Sequence, residues 1–471
     1  MQVPASNFLK AKKPWLKKLV SNLNQHFTYA SALGTDVAGK QYYVSDKVTS
    51  IADSPWGERG FVVRVYNQGR YFEYAFNQLP EDDTAIEALT AQITASANKQ
   101  TTPAFLYPEP QEDAITQVYH GEVNELPGTM GADKIIARLT NITKKMQGAS
   151  PLVVEAMASA SYAQVSKIFI SAKKDLEQHY IWSEAYVIPI TRRGDTTREL
   201  YKAYAGLKGL EILQDLDNCV EDVVKNACKL LDAKPITPGE YDVICSPDPV
   251  GLIAHEAFGH GVELDMFLKN RANASQYIGK PVAAKMVNMR DGARSARHMS
   301  SYLFDDEGNL GGDTLVIENG ILRAGISDAL SAAQLGLAPT GNGKRQTFAN
   351  KAYSRMTNTF FESGTDKLED MIKSVKHGYL IEAGESGMED PKDWGIQCIF
   401  SYAREIIDGE VTDNWVAPVV MTGYVPELLK NITMMSGDFE LYGNGGCGKG
   451  YKEWVKVSCG GPYIKTRARL G

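Results

Sequence analysis

Residues 255–265 read HEAFGHGVELD. Two imidazoles, His255 and His260, stand five residues apart, and a carboxylate, Glu256, follows the first. Histidine is a common zinc ligand, so the stretch reads as a candidate metal site. In the two-histidine zinc helix with a spacing of four, both ligands share one face. A gap of five turns through about 500° and leaves the second side chain roughly 140° from the first. Both rings can face one ion if the helix widens locally, as in a π-type turn, or if it ends there. Gly259 and Gly261 flank His260 and permit either distortion. Glu256 points about 100° away from the ligand direction on a helix. That suits a general base acting on a zinc-bound water rather than a ligand. Surface histidines capping an ordinary helix are the plainer alternative.

A catalytic zinc needs a third protein ligand and keeps the fourth position open for water. Cys447 is the first candidate. It sits in YGNGGCGKG (442–450), where glycines crowd a single thiol and let the backbone approach an ion. Cys459, in SCGG, is the second. Glu263 and Asp265 read equally as solvated carboxylates at a helix end. Cys219, Cys228, Cys245 and Cys398 fall in apolar helix- or strand-like contexts and read as core thiols.

The elements that must hold these residues follow from patterning. GFVVRVY (60–66) and RYFEYAF (70–76) flank NQG and predict a hairpin. Helical spacing appears over 81–98, 131–146 and 213–231. TTPAFLYPEPQEDA (101–114) reads as a surface connection. VSKIFIS, HYIWSEAYVIPITRR and ELYKAYA predict an antiparallel meander between residues 165 and 204. DAKPITPGE (232–240) is the boundary candidate, dividing the chain into 1–235 and 236–471. Beyond it, YDVIC (241–245) reads as a strand, SPDP (246–249) as a turn, and the HEAFGH helix starts at 249 or 250. LVIENGIL (315–322) and REIIDGEV (404–411) carry hairpin turns. The fold class is therefore α+β. N-terminal helices pack on a mostly antiparallel sheet, and a β-rich C-terminal domain carries the metal-binding helix.

Composition narrows the function. The chain has 471 residues, 43% hydrophobic and 23% charged, with a formal net charge of −7. That balance suits a globular protein and argues against a general nucleic-acid footprint. No apolar run is long enough for a membrane span. The N-terminus has lysines but no apolar signal core, and its Leu9, Trp15, Leu16, Leu19 and Val20 suggest a short amphipathic helix docked on the body. The six cysteines include no CxxC, which fits reduced thiols in a cytoplasmic protein.

Taken together the motifs resemble the TldD/PmbA family of zinc metalloproteases, also called modulators of DNA gyrase, in its TldD-like catalytic branch. Four stretches carry the resemblance: HEAFGHGVELD; FDDEG (304–308) with LVIENGIL; TGNGKR (340–345) with SRMTNTFFESG (354–364); and NGGCGKG (444–450) with GGP (460–462). The resemblance implies zinc (Zn2+) on His255, His260 and Cys447, with Glu256 as catalytic base. It implies hydrolysis of linear or unfolded peptides. It also implies a homodimer, or a heterodimer with a paralogue lacking the histidine motif. On that basis residues 1–235 are expected to supply dimerisation and a cleft wall. Two stretches depart from the family pattern: GESGMEDPKDWGIQCIF (384–400) and GYKEWVKV (450–457). Both are expected to border the cleft.

Further residues carry paired readings. RMTNTFF (355–361) is β-prone and reads either as a strand that pairs with an extended peptide or as an ordinary central strand. Arg355, Met356, Thr357 and Asn358 are accordingly candidates for substrate binding. FDDEG reads as a second layer behind a ligand histidine or as a solvated turn. His26, His120, His179, His298 and His377 show no partner pattern. Three functions compete: a zinc metallopeptidase, a zinc- and peptide-binding regulatory subunit without turnover, and a metal-free scaffold.

Overall fold

Leu9, Leu16, Leu19, Val20 and Leu23 fall on one side of a helix, and the chain forms it over Asn7–Leu23 (α1). Ser6 caps it, its hydroxyl accepting from the Leu9 amide. The apolar side is buried, so the lysine-bearing segment is docked as expected. The computed structural model describes residues 1–99, 105–449 and 452–471, with backbone alone for Lys452 and Glu453. Part of the Pro-rich connection (101–104), and Gly450 and Tyr451 beside the cysteine run, lie outside the described residues. Among the described residues no helix is long and apolar enough to cross a membrane.

The first sheet is built from strands β1 (Tyr29–Ser45), β2 (Thr49–Asp53), β3 (Glu58–Asn67), β4 (Arg70–Phe76), β5 (Ile115–His120), β6 (Val153–Ser171), β7 (Lys174–Arg193), β8 (Thr196–Glu199) and β9 (Lys202–Gly206). Its order is β4-β3-β1-β6-β7-β5, with β2 on β1 and both β8 and β9 on β7. Only the β5–β7 pairing is parallel. The predicted NQG hairpin forms between β3 and β4, with Gln68 and Gly69 both at positive φ. Strand alternation then sets the two faces. Val63, Val65, Ile168 and Ile170 pack with α1 and with α2 (Asp83–Ala97). Val62, Phe169 and Leu33 face the other way, onto Phe304 of the C-terminal half. Helices α3 (Ala132–Ala149) and α4 (Leu213–Lys229) cover the far end of β6 and β7.

The C-terminal half is mostly strand, as the sequence predicts. A seven-stranded sheet includes Gly239–Cys245, His377–Asp390, Gly395–Ile407 and Ile464–Leu470. A six-stranded sheet includes Met289–Asp291, Asn358–Phe361 and Ser458–Gly461. Helix α5 (Pro247–Ala254) packs against strands of both. Its start corrects one expectation. SPDP is not a turn before the helix but its first turn, because Pro247 and Pro249 sit where no amide hydrogen is needed. A side chain at Gly251 would lie 2.8 Å from the Gly460 nitrogen, so glycine there lets α5 rest directly on the Ser458–Gly461 strand.

FDDEG is neither a solvated turn nor a support for a ligand histidine. Asp305, Asp306 and Glu307 are buried. Asp305 accepts from the amides of Glu307, Asn309 and Gly343. Asp306 pairs with Lys167 of β6 at 2.5 Å, and Glu307 with Arg64 of β3 at 2.5 Å. Charges buried this deeply require partners, and the partners lie on the first sheet. The run therefore fastens the C-terminal half to the N-terminal one. Replacing Arg64 by leucine leaves Glu307 without its cation and should cost about 3–5 kcal/mol, read as a lower urea midpoint. Adding Glu307→Leu to the same chain should recover most of that loss.

Candidate metal centre

The helix that starts at Pro247 changes its winding when it reaches the histidines. Residues His255–Gly259 form a π-turn, in which the His260 amide donates to the His255 carbonyl. A short 3-10 turn, His260–Val262, follows and ends the helix. Widening and termination thus both occur where the five-residue gap demands them. The rings of His255 and His260 lie 5.1 Å apart at an interplanar angle of 89°. Gly259 makes the turn possible through packing. A Cβ there would sit 2.0 Å from the Met356 sulfur.

Cys447 arrives from a different element. It lies on the Gly446–Lys449 strand, paired with Val455 in a hairpin. Its sulfur is 3.4 Å from His260 Nε2, and single ligand atoms of His255, His260 and Cys447 all lie within 4.8 Å of one another. Zinc bonds of ~2.0 Å to nitrogen and ~2.3 Å to sulfur at a tetrahedral angle put those atoms about 3.5 Å apart, so the donors fit that ion. His255 Nδ1 is buried without a hydrogen-bond partner among the described residues. A thiol and an orphaned imidazole nitrogen, both out of water, are a donor set for a borderline-soft cation. Cys459 does not join them. It lies on the Ser458–Gly461 strand beneath α5, and burial pushes its thiol up.

The electrostatics favour the ligand form of the cysteine. Burial raises the Cys447 thiol, but the two adjacent imidazoles outweigh this and hold it well below the ordinary thiol range. Burial likewise pulls His260 down, while Cys447 and Glu263 hold it well above its ordinary value.

Glu263 and Asp265 are buried rather than solvated, which corrects their reading as helix-end carboxylates. Glu263 Oε2 lies 3.4 Å from His260 Nδ1 and 3.1 Å from the Lys449 ammonium, and its Oε1 lies 3.5 Å from Arg355 Nε. Burial alone would raise Glu263. Lys449, His260 and Arg355 together hold it at about 2. Lys449 also bonds Asp265 at 2.5 Å, and Arg355 donates to the Cys447 carbonyl at 2.8 Å. One carboxylate thereby orients a histidine, and its cations reach the cysteine strand.

The four residues considered for substrate binding lie inside the protein. Arg355, Met356, Thr357 and Asn358 are each fully buried. Thr357 donates from its amide and its hydroxyl to Asp291. Asn358 donates to the carbonyls of Gly292 and Ala296 and to the Ser301 hydroxyl. Strand Asn358–Phe361 has both edges filled, by Met289–Asp291 and by Ser458–Gly461, so it is a central strand with no edge for a peptide. These side chains support the helix and the cysteine strand instead.

Glu256 is buried beside the histidines, under the hairpin of His377–Asp390 and Gly395–Ile407. A Cβ at Gly387 would lie 2.5 Å from Glu256 Cγ. Within that divergent stretch Trp394 and Cys398 are core residues. The residues on the site are Gly387 and Glu389, and sequence reasoning missed the second. Both carboxylate oxygens of Glu389 are buried without a hydrogen-bond partner among the described residues. Burial pushes this carboxyl well above the usual range, with His260 opposing and Glu256 and Glu263 adding to the rise.

His255, His260 and Cys447 thus form a donor set suited to a zinc-type ion. Residues 238–468 match the PmbA/TldA metallopeptidase C-terminal domain, so this half of the chain is a PmbA/TldD-family domain. It is 30% identical over 269 residues to a metalloprotease of Methanothermobacter thermautotrophicus, covering 57% of this chain and 58% of that one. It is 30% identical over 289 residues to a zinc metalloprotease TldD homolog of Saccharolobus solfataricus, covering 60% and 63%. The chain thus spans less than two thirds of the length of these curated relatives. In fold it is similar to a Thermotoga maritima chain described as a candidate modulator of a DNA gyrase, with TM-score 0.77, 15% identity, and 98% and 100% of the two chains covered.

Two variants check the geometry. Glu263→Gln should weaken zinc binding about 10–100-fold in a chelator competition while the fold persists. Gly259→Ala should lower zinc affinity by closing the space of the Met356 sulfur, and Met356→Ala in the same chain should restore part of it, measured by the same competition.

Proposed function

We propose that the chain is a zinc-dependent metallopeptidase that hydrolyses linear or unfolded peptides. The observation that carries this reading is the meeting of His255, His260 and Cys447 with the buried Glu256 beside them. Zinc on this trio would supply a Lewis acid for the scissile carbonyl and lower the pKa of a water. Glu256 takes a proton from the attacking water as its oxygen bonds to the carbonyl carbon. The same carboxyl returns that proton to the leaving amine nitrogen as the carbon–nitrogen bond breaks. Glu263 holds His260 through Nδ1, leaving Nε2 toward Cys447. The hairpin across Glu256 keeps bulk water off the carboxylate, which strengthens its electrostatics.

In this reading residues 236–471 carry the chemistry, and residues 1–235 supply the cleft wall and a dimer surface. The partner is a second copy or a paralogue without the histidine motif, as the family resemblance suggests. Six free cysteines, none of them paired, support a reducing, cytoplasmic setting. The test is hydrolysis of an unfolded protein by the zinc-loaded chain and by its Glu256→Gln variant. The variant should retain zinc and lose about 10²–10⁴-fold in rate. Full activity in that variant would overturn the assignment.

A further inference from the structure

Glu389 is the one acidic side chain at the centre whose position none of the foregoing explains. It lies on the His377–Asp390 strand, where alternation turns Met388 outward and Glu389 inward. Met388 is 71% exposed, while both Glu389 carboxylate oxygens are buried and without a hydrogen-bond partner among the described residues. Oε1 stands 3.1 Å from where a Cβ on Gly261 would lie, so the carboxylate rests on the turn that carries His260. The neighbouring strand residue on the same face, Gly387, rests on Glu256. Glu389 therefore lies on the same face of the strand as the residue that covers Glu256, one strand repeat away.

The charged groups that act on it are His260, Glu256, Glu263 and Asp390, three carboxylates against one imidazole. Glu263 is already matched by Lys449 and Arg355. Glu389 lies outside the trio of metal donors. A buried carboxyl that accepts nothing rests protonated, and a cation brought by a ligand is the partner that would restore its charge.

Resting on the peptidase reading above, we propose that Glu389 selects the substrate. Its carboxylate binds a cationic group of the peptide beside the scissile bond. That group is either the free α-ammonium of the first residue or the ammonium or guanidinium of a basic side chain. The substrate class is then peptides positively charged at the cleavage point, and the first source would make the chain an aminopeptidase.

The experiment uses the zinc-loaded full chain carrying Glu256→Gln, so that peptides bind without turnover. Calorimetry compares three alanine-based pentapeptides: one with a free N-terminus, one N-acetylated, and one N-acetylated with a central lysine. At least one charged peptide should bind about tenfold or more tightly than the uncharged one, the range of a hydrogen bond to a charged group. Whichever charged peptide holds the advantage names the source. Adding Glu389→Gln should abolish the difference with zinc content unchanged. Equal binding of charged and uncharged peptides, a difference that survives Glu389→Gln, or a second zinc held through Glu389 would each overturn the proposal. Cleavage of all three peptides at one rate by the unmodified chain would remove Glu389 from recognition and leave the peptidase reading standing. Failure to bind or cleave any of them would remove both.

Discussion

Two imidazoles five residues apart cannot share an ion on a regular α-helix, and the C-terminal half is arranged around that mismatch. The π-turn at His255–Gly259 resolves it, but an extra residue in a helix widens the coil and needs support from outside. Gly251 seats the preceding turn on the Gly460 backbone, and Gly259 admits the Met356 sulfur. The helix is then clamped at both ends of its irregular stretch. The same central strand that follows Met356 pairs with Ser458–Gly461, shortly after the hairpin that carries Cys447. Histidines and thiol are thus referenced to one sheet, although 187 residues separate His260 from Cys447.

Charge burial does the rest. Glu263 is fully enclosed, which is tolerable only because His260, Lys449 and Arg355 surround it. Each of those contacts also fixes something on the site: a ring, a strand, a carbonyl of the cysteine. A similar logic operates at the junction of the two halves, where Asp306 and Glu307 meet Lys167 and Arg64. The histidine-bearing helix is consequently held by a half that is itself held by ion pairs to the first sheet.

Much of this was legible in the sequence, and the parts that were not share a cause. Hairpins with Asn-Gly or Asp-Gly turns formed where predicted, since their φ demands are local. Amphipathic spacing gave α1 through α4 for the same reason. The π-turn was foreseeable because spacing and flanking glycines are both local facts. FDDEG, Glu263 and Asp265 were not, because a carboxylate looks solvated until its cation is known. Their cations lie far along the chain, as with Lys449 for Glu263 or Arg64 for Glu307. RMTNTFF reads equally as a peptide-pairing strand or a central one, and only distant partners decide for the second, because Asp291 and the carbonyls of residues 292 and 296 consume its donors internally. Glu389 gave no signal, since its burial depends on how a hairpin folds across the helix.

The coordination shell is the central claim, and zinc-edge X-ray absorption of the zinc-loaded chain reads it directly. Two histidines and one thiolate with an open position predict one sulfur at about 2.3 Å and three lighter atoms at about 2.0–2.1 Å. A shell without sulfur would remove Cys447 from the centre. A shell with two sulfurs would bring in a second cysteine and contradict the open fourth position on which the chemistry depends.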